Sequence, residues 1–111
     1  MLKELTKNYI EAFDNKDLEK CAELFTDDFT LKDPVVKSIE GKAEVLKVIK
    51  GIFDSCTRLN FNAKNIYQDG NTTILEFTLK LDDTTLTGTD IVEWENNKMK
   101  ELRAYLDIPK D

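Results

Sequence analysis

The apolar residues of this 111-residue chain change their spacing once, near position 57, and this change constrains the fold more than any other feature. Before it, apolar residues recur every three or four positions, as on one face of an amphipathic helix. After it, they alternate with polar residues, as on a strand with one buried face. Because all but one of the predicted strands follow the helices as a block, the order predicts an α+β fold, with helices packed on one face of a curved sheet.

Three helices and one short strand are predicted in the first half. The helices cover the apolar stripes at 2–13, 17–25 and 41–56, the second with Asp17 as its N-cap. A strand at 29–33 and a loop at 35–40 separate the second helix from the third. Four further strands, separated by turn signals, are predicted at 59–67, 73–81, 86–94 and 98–107. Strict alternation places Tyr67 on the inner face of the first of these four and Ile66 on its outer face.

The charged residues are unbalanced, since 22 Asp and Glu against 16 Lys and Arg give a formal net charge of −6. Phosphate binding needs a basic face, so this charge disfavours nucleic acid, and it also disfavours anionic membrane surfaces. The first residues lack the apolar core of a signal peptide, and no stretch reaches the ~20 apolar residues of a membrane span. We therefore expect a cytoplasmic protein that binds neither nucleic acid nor membranes.

The chain has no histidine, and its two cysteines, Cys21 and Cys56, are not spaced as metal ligands. The lack of histidine excludes Ser-His-Asp and Cys-His catalysis and most zinc and haem sites. No loop has the oxygen-ligand pattern of a calcium site. We therefore expect no metal site. Both cysteines fall on apolar stripes, which favours buried thiols over a disulfide.

Three polar side chains are predicted to point into the interior. Asp33 and Asp90 share the phase of the apolar residues on their strands, and Tyr9 lies on the apolar stripe of the first helix. An unpaired buried carboxylate is costly, so such a group shifts its pKa or finds a partner. Perturbed carboxyls in a cleft are candidates for a functional site. Together, the three residues favour a shared pocket.

Each of the three residues also has a structural explanation. A one-residue bulge would turn either aspartate to solvent. Asp33 precedes a proline and could cap a loop, and Asp90 could accept hydrogen bonds from the backbone or from Thr89. A tyrosine on an amphipathic helix is usually a core residue with a hydrated hydroxyl. Taken one at a time, the residues favour this structural explanation.

The chain resembles the nuclear-transport-factor-2-like superfamily, also called SnoaL-like, over nearly its whole length. The resemblance rests on Asp17-Leu18, Leu24-Phe25-Thr26-Asp27-Asp28-Phe29, Asp33-Pro34, Gly41, Gly88-Thr89-Asp90 and Lys98 to Leu106. It implies a cystatin-like α+β cone, in which N-terminal helices and a curved, mostly antiparallel sheet form a cone-shaped pocket. We expect a single domain at 1–108 and a frayed tail at 109–111.

Within that superfamily, the nearest pattern is bacterial ketosteroid isomerase, which has a tyrosine in its first helix, an Asp-Pro after its first strand and an aspartate on a late strand. Tyr9, Asp33 and Asp90 fall on these positions. The resemblance implies catalysis without a cofactor: Asp33 as the general base that moves a proton α to a carbonyl, and Tyr9 and a protonated Asp90 as donors to the oxyanion. The loop at 35–40 is shorter than in the isomerases and charged, and 57–85 has no isomerase-specific match. The expected substrate is therefore a small hydrophobic carbonyl compound, with a steroid as one example among several.

Two other functions stay open. The first is a non-catalytic pocket for a small hydrophobic ligand. Its candidate lining residues are Phe13, Phe25, Phe53, Phe61, Phe77 and Trp94. The second is an association module, because the outer sheet face of this superfamily often forms a homodimer. That face is predicted to carry Ile66, Ile74, Ile91 and Tyr105, and we expect a homodimer through it.

Hydrolysis is ranked below isomerisation. Hydrolytic relatives of the fold hold a water with an arginine between two aspartates. This chain has only two arginines, Arg58 and Arg103. Arg103 is out of phase with Leu102 and Ala104, so it is predicted to point outward.

Overall fold

The computed structural model describes residues 1–33 and 37–107. Over these residues the chain forms three helices, α1 (Leu2–Asp14), α2 (Leu18–Leu24) and α3 (Lys42–Asp54). It also forms six strands: β1 (Phe25–Asp33), β2 (Lys37–Glu40), β3 (Leu59–Asp69), β4 (Thr72–Leu81), β5 (Thr84–Glu95) and β6 (Lys98–Asp107). None of the described helices has the length and apolar character that crossing a bilayer requires. The predicted frayed tail at 109–111 lies outside the described residues.

The six strands form one sheet in the order β2-β1-β6-β5-β4-β3. Neighbouring strands are antiparallel except β1 and β6, which run parallel. The three helices pack on one face of this curved sheet, and the apolar core lies between them. The predicted α+β architecture, with helices on one face of a mostly antiparallel sheet, is confirmed.

The segment between α2 and α3 differs from the prediction at both ends. Residues 37–40, predicted as loop, form strand β2 and pair antiparallel with β1. This segment has one apolar residue, Ile39, so its sequence shows no alternation of apolar and polar residues. β1 begins at Phe25, which was assigned to the stripe of the second helix. The Asp17 cap is confirmed, because its carboxylate accepts a hydrogen bond from the backbone N–H of Lys20 at 3.2 Å.

Strand β3 contains a bulge that inverts its pattern. The pairing with β4 shifts between Ala63 and Asn65, so one extra residue enters β3 there. Beyond the bulge, Ile66 packs against the core and Tyr67 is 50% exposed. The predictions that Tyr67 faces inward and Ile66 outward were wrong, because strict alternation fails wherever a residue is inserted.

A buried chain of hydrogen bonds holds α1 on the sheet. The indole N–H of Trp94 donates to the hydroxyl of Thr73 at 2.9 Å. That hydroxyl lies 2.9 Å from the hydroxyl of Thr6, which lies 2.8 Å from the carbonyl oxygen of Leu2. Each hydroxyl has one proton to donate. Trp94 can therefore donate to Thr73, Thr73 to Thr6, and Thr6 to the carbonyl oxygen of Leu2. These hydrogen bonds hold one face of α1 against the sheet. Tyr9 lies on the same face, about one turn after Thr6.

Candidate functional site

A mostly apolar cavity of about 90 Å³ lies between the helices and the inner face of the sheet. Sixteen of the described residues line it, and three of these are polar: Tyr9, Asp33 and Asp90. The thirteen others are Phe13, Phe25, Phe29, Leu31, Val45, Ile49, Ile52, Phe61, Phe77, Leu79, Leu102, Ala104 and Leu106. The structure therefore brings the three residues singled out from the sequence to one cavity.

The three polar residues come from different elements. Tyr9 is buried on α1, and its ring lies 6.0 Å from the ring of Phe61 and 5.9 Å from that of Phe13, centroid to centroid. Asp90 lies in the middle of β5 and is 4% exposed. Asp33 is the last residue of β1 and is partly exposed. The phenol and one carboxyl are thus enclosed, and the other carboxyl stands where the cavity meets solvent.

We call the partly exposed part of the lining the cavity mouth; it consists of Leu31, Asp33, Ile52 and Leu106. Asp33 belongs to this partly exposed part of the lining, whereas Tyr9 and Asp90 belong to its buried part.

The oxygens of Tyr9 and Asp90 are available to a ligand. Among the described residues, neither the phenol hydroxyl of Tyr9 nor the carboxyl of Asp90 has a hydrogen-bond partner. In the described part of the chain, every side-chain nitrogen or oxygen that is fully closed off has a partner. These oxygens are therefore reached from the cavity. Buried polar groups normally have hydrogen-bond partners, so the hydroxyl of Tyr9 and the carboxyl of Asp90 are candidates for binding a ligand.

Burial shifts the ionisation of both enclosed groups. Desolvation and then the nearby charge of Asp33 raise the pKa of Asp90 from 3.8 to about 8. Desolvation, followed by the charges of Asp90 and Cys21, raises the pKa of Tyr9 well above 10.0. Asp90 is therefore mostly protonated at neutral pH, and both groups are hydrogen-bond donors. The coupling also places Asp33 close enough for its charge to act on Asp90.

Four of the six aromatic residues predicted to line a pocket do so: Phe13, Phe25, Phe61 and Phe77. Phe53 lies outside the lining, 5.0 Å from Phe13 between ring centroids. Trp94 is also outside it and is bonded to Thr73 instead. The two are buried as expected but line no part of this cavity.

Three notable members of the lining are absent from the residues predicted to form it: Phe29, Leu31 and Ala104. Phe29 and Leu31 lie on β1 in the same phase as Asp33, so their positions in the sequence contained the signal. Phe29 stacks on Phe25, with ring centroids 4.1 Å apart. The small side chain of Ala104 did not mark it as a lining residue. Its role in the lining depends on its position opposite Asp90 in the pairing of β5 with β6.

Both arginines lie away from the cavity. Arg103 points to the outer face, as predicted, where it donates to Glu93 at 2.8 Å and is also bonded to Glu101. Arg58 is exposed at the start of β3. Neither arginine is among the described lining residues, so the arginine-between-aspartates arrangement of hydrolytic relatives is not formed there.

Within the described residues, no three His, Cys, Asp or Glu side chains are grouped as metal ligands. Cys21 and Cys56 are both free thiols. Burial raises the pKa of Cys21 to about 12, so its thiol stays neutral and unreactive.

The helices, the curved sheet and the enclosed polar groups together define an α+β cone protein with an internal site. The model of the SnoaL-like domain family matches residues 6–102, and the chain belongs to this family. The resemblance to the nuclear-transport-factor-2-like superfamily is thereby confirmed. A search of curated proteins finds no significant match.

Solved structures share the fold at low sequence identity. A provisionally assigned ketosteroid isomerase from Kribbella flavida superposes with a TM-score of 0.87 at 17% identity, covering 99% of this chain and 80% of that one. An NTF2-like protein of unknown function from Cytophaga hutchinsonii gives 0.84 at 15%, covering 96% and 90%. An epoxide hydrolase of the LEH-like type from M. tuberculosis gives 0.79 at 16%, covering 94% and 80%. At these identities the likeness concerns the fold.

Proposed function

We propose that the protein catalyses a ketosteroid-isomerase-like proton transfer, without a cofactor, on a small hydrophobic carbonyl compound. The observation that carries this proposal is the set of polar groups in an otherwise apolar cavity: a carboxylate at the mouth and two proton donors deeper inside. Removal of a proton α to a carbonyl needs a base near the carbon and donors near the oxygen. Tyr9, Asp33 and Asp90 supply these parts.

The reaction follows from the positions of the three groups. The substrate carbonyl oxygen would lie against the hydroxyl of Tyr9 and the protonated carboxyl of Asp90. The Asp33 carboxylate takes a proton from the α carbon, and the electrons of the broken C–H bond move to the oxygen to form an enolate. The two donors stabilise this enolate. Return of the proton from Asp33 to the γ carbon of an unsaturated ketone gives the isomer, with no net oxidation and no other reactant.

The different surroundings of the two carboxyls support their different roles. Asp90 is enclosed by apolar residues, which favours its neutral form. Asp33 is partly exposed at the end of β1, where water can solvate a charge. A site with one ionised and one protonated carboxyl needs such a difference.

The test is the exchange of α protons for deuterium in heavy water, followed by NMR with cyclopentanone as the probe. This assay reports proton removal and does not require the natural substrate. We expect catalysed exchange by the wild type, and a loss of about a hundredfold or more in Asp33→Asn. The matched control is Asp27→Asn, which removes the same charge from an exposed position on the same strand. Equal exchange in wild type and Asp33→Asn would refute the proposal.

The alternative is a non-catalytic site for a small hydrophobic ligand, favoured by the thirteen apolar residues of the lining. It predicts that cyclopentanone binds without faster exchange, and that Asp33→Asn does not weaken this binding.

Either function is compatible with a homodimer, which we also propose. Its interface would be the outer sheet face, where Tyr105 is 54% exposed and Ile74 and Ile91 are partly exposed.

A further inference from the structure

The cavity is small for a member of this fold that would act on a large ligand. Its volume is about 90 Å³. A closed apolar cavity of about 150 Å³ holds benzene, and pockets for drug-sized ligands measure about 300–1,000 Å³. The enclosed space therefore takes only a few non-hydrogen atoms, and the rest of any ligand must lie in the cavity mouth beside Asp33. A fused-ring compound is too large for this enclosed space.

The ring of Phe77 bounds the cavity on one side. Phe77 on β4 pairs with Gly88 on β5, one row from Asp90 on the inner face. A Cβ atom added at Gly88 would lie 2.9 Å from Cζ of Phe77 and 2.6 Å from the backbone oxygen of Tyr105. The tip of the Phe77 ring thus occupies the place where a side chain of β5 would stand. Because Gly88 has no side chain, the tip of this ring can come close to β5, one row from Asp90.

Ala104 forms the other wall. It pairs with Asp90 across β5 and β6, and both line the cavity. Side chains directly opposite each other on neighbouring strands are close, about 4.5–5.5 Å between Cβ atoms. A larger side chain at this position would therefore project into the space in front of the Asp90 carboxyl. The methyl group of Ala104 leaves that space free.

The polar groups of the described lining suit a carbonyl oxygen. They are two carboxyls and a phenol. A carbonyl oxygen can accept hydrogen bonds from Tyr9 and from the protonated Asp90.

We infer that the substrate is a carbonyl compound that is acyclic or contains a single ring, and that Ala104, beside Asp90, sets this size limit. The inference rests on the proposed function for the carbonyl group. Its size limit rests on the cavity alone.

The experiment measures binding separately from catalysis. The probes are cyclopentanone and its fused two-ring counterpart decalone, each titrated against the protein while the methyl NMR signals of Ala104 and Leu102 are recorded. We expect cyclopentanone to shift these signals and to bind at least about tenfold more tightly than decalone, a difference of about 1.4 kcal/mol. Decalone binding as tightly as cyclopentanone would overturn the inference, and so would the absence of binding by both.

Two substitutions locate the size limit at Ala104. Ala104→Leu should abolish cyclopentanone binding by filling the cavity, and Ala104→Gly should strengthen decalone binding relative to the wild type. The glycine variant keeps the test decisive if the leucine variant does not fold. Ala63→Leu is the matched control, because Ala63 is exposed on β3 and outside the lining. Unchanged selectivity in Ala104→Gly would show that another residue sets the limit.

Failure of the inference is distinguishable from failure of the proposed function. If cyclopentanone binds in the cavity but its α protons do not exchange faster, the site selects small carbonyl compounds without acting on them. If decalone binds and exchanges, the proton transfer stands and the size limit is wrong.

Discussion

The buried carboxyl of Asp90 makes stability depend on pH in a direction opposite to that of most aspartates. Its pKa is raised from 3.8 to about 8 in the folded protein. Between these two values the unfolded chain has released this proton while the folded protein keeps it. Stability therefore falls as the pH rises, because the folded state binds more protons than the unfolded state. Above about pH 8, the carboxylate must be ionised inside an apolar cavity.

The magnitude follows from the shift. One pKa unit corresponds to about 1.4 kcal/mol, so the free energy of unfolding loses about 1.4 kcal/mol per pH unit through this range. The full loss is about 6 kcal/mol for Asp90. That is comparable with the whole stability of a typical domain, roughly 5–15 kcal/mol. The protein should therefore be much less stable at mildly alkaline than at mildly acidic pH on account of this one residue.

Urea unfolding of the wild type and of Asp90→Asn, from about pH 4 to about pH 8, isolates the effect. Asparagine cannot ionise, and other titrating groups cancel in the difference between the two proteins. We expect the variant to gain about 1.4 kcal/mol per pH unit relative to the wild type. Asp27→Asn, at an exposed position, should show a constant difference. A flat difference for Asp90→Asn would mean that Asp90 is already ionised in the folded protein, and the enclosed-donor reasoning would be refuted.

Three further substitutions have expected outcomes. Tyr9→Phe removes one oxyanion donor and should slow α-proton exchange by about 10²–10³-fold at unchanged far-UV circular dichroism. Thr73→Val leaves the indole N–H of Trp94 without an acceptor and should cost about 1–3 kcal/mol in urea unfolding, whereas a cost near zero would deny the hydrogen-bonded chain any role in stability. Ile91→Glu places a charge on the outer sheet face and should convert a dimer to a monomer by light scattering; a monomeric wild type at high concentration would contradict the homodimer.

Regular strands allowed the site to be predicted from sequence. β5 pairs with β4 without a shift from Thr84 to Glu93, so alternation correctly gave Asp90 an inward direction. In β3 the same rule failed for Ile66 and Tyr67, because no residue type marks the bulge before them. The alternation of apolar and polar residues gives the face of a side chain only as far as the strand pairs without an inserted residue.

The cavity lining was less predictable than the fold. Trp94 and Phe53 are buried as their phases indicate, but burial does not say which part of the interior a side chain occupies. That depends on which strands are neighbours, and the parallel pairing of β1 with β6 brings together segments far apart in sequence. The volume of the cavity, likewise, depends on how Phe77 lies on Gly88, a packing detail that periodicity does not contain.

The parallel pairing of β1 with β6 also sets the order in which the protein can assemble. Leu31 on β1 pairs with Leu102 on β6, and both belong to the cavity wall. Among the six described strands, β1 and β2 join the rest of the sheet through β6, which follows the other five in sequence. Such a long-range contact carries the largest loop-closure entropy and forms slowly. During synthesis, the site therefore cannot exist until β6 has emerged, and before then Leu31 lacks its neighbour Leu102.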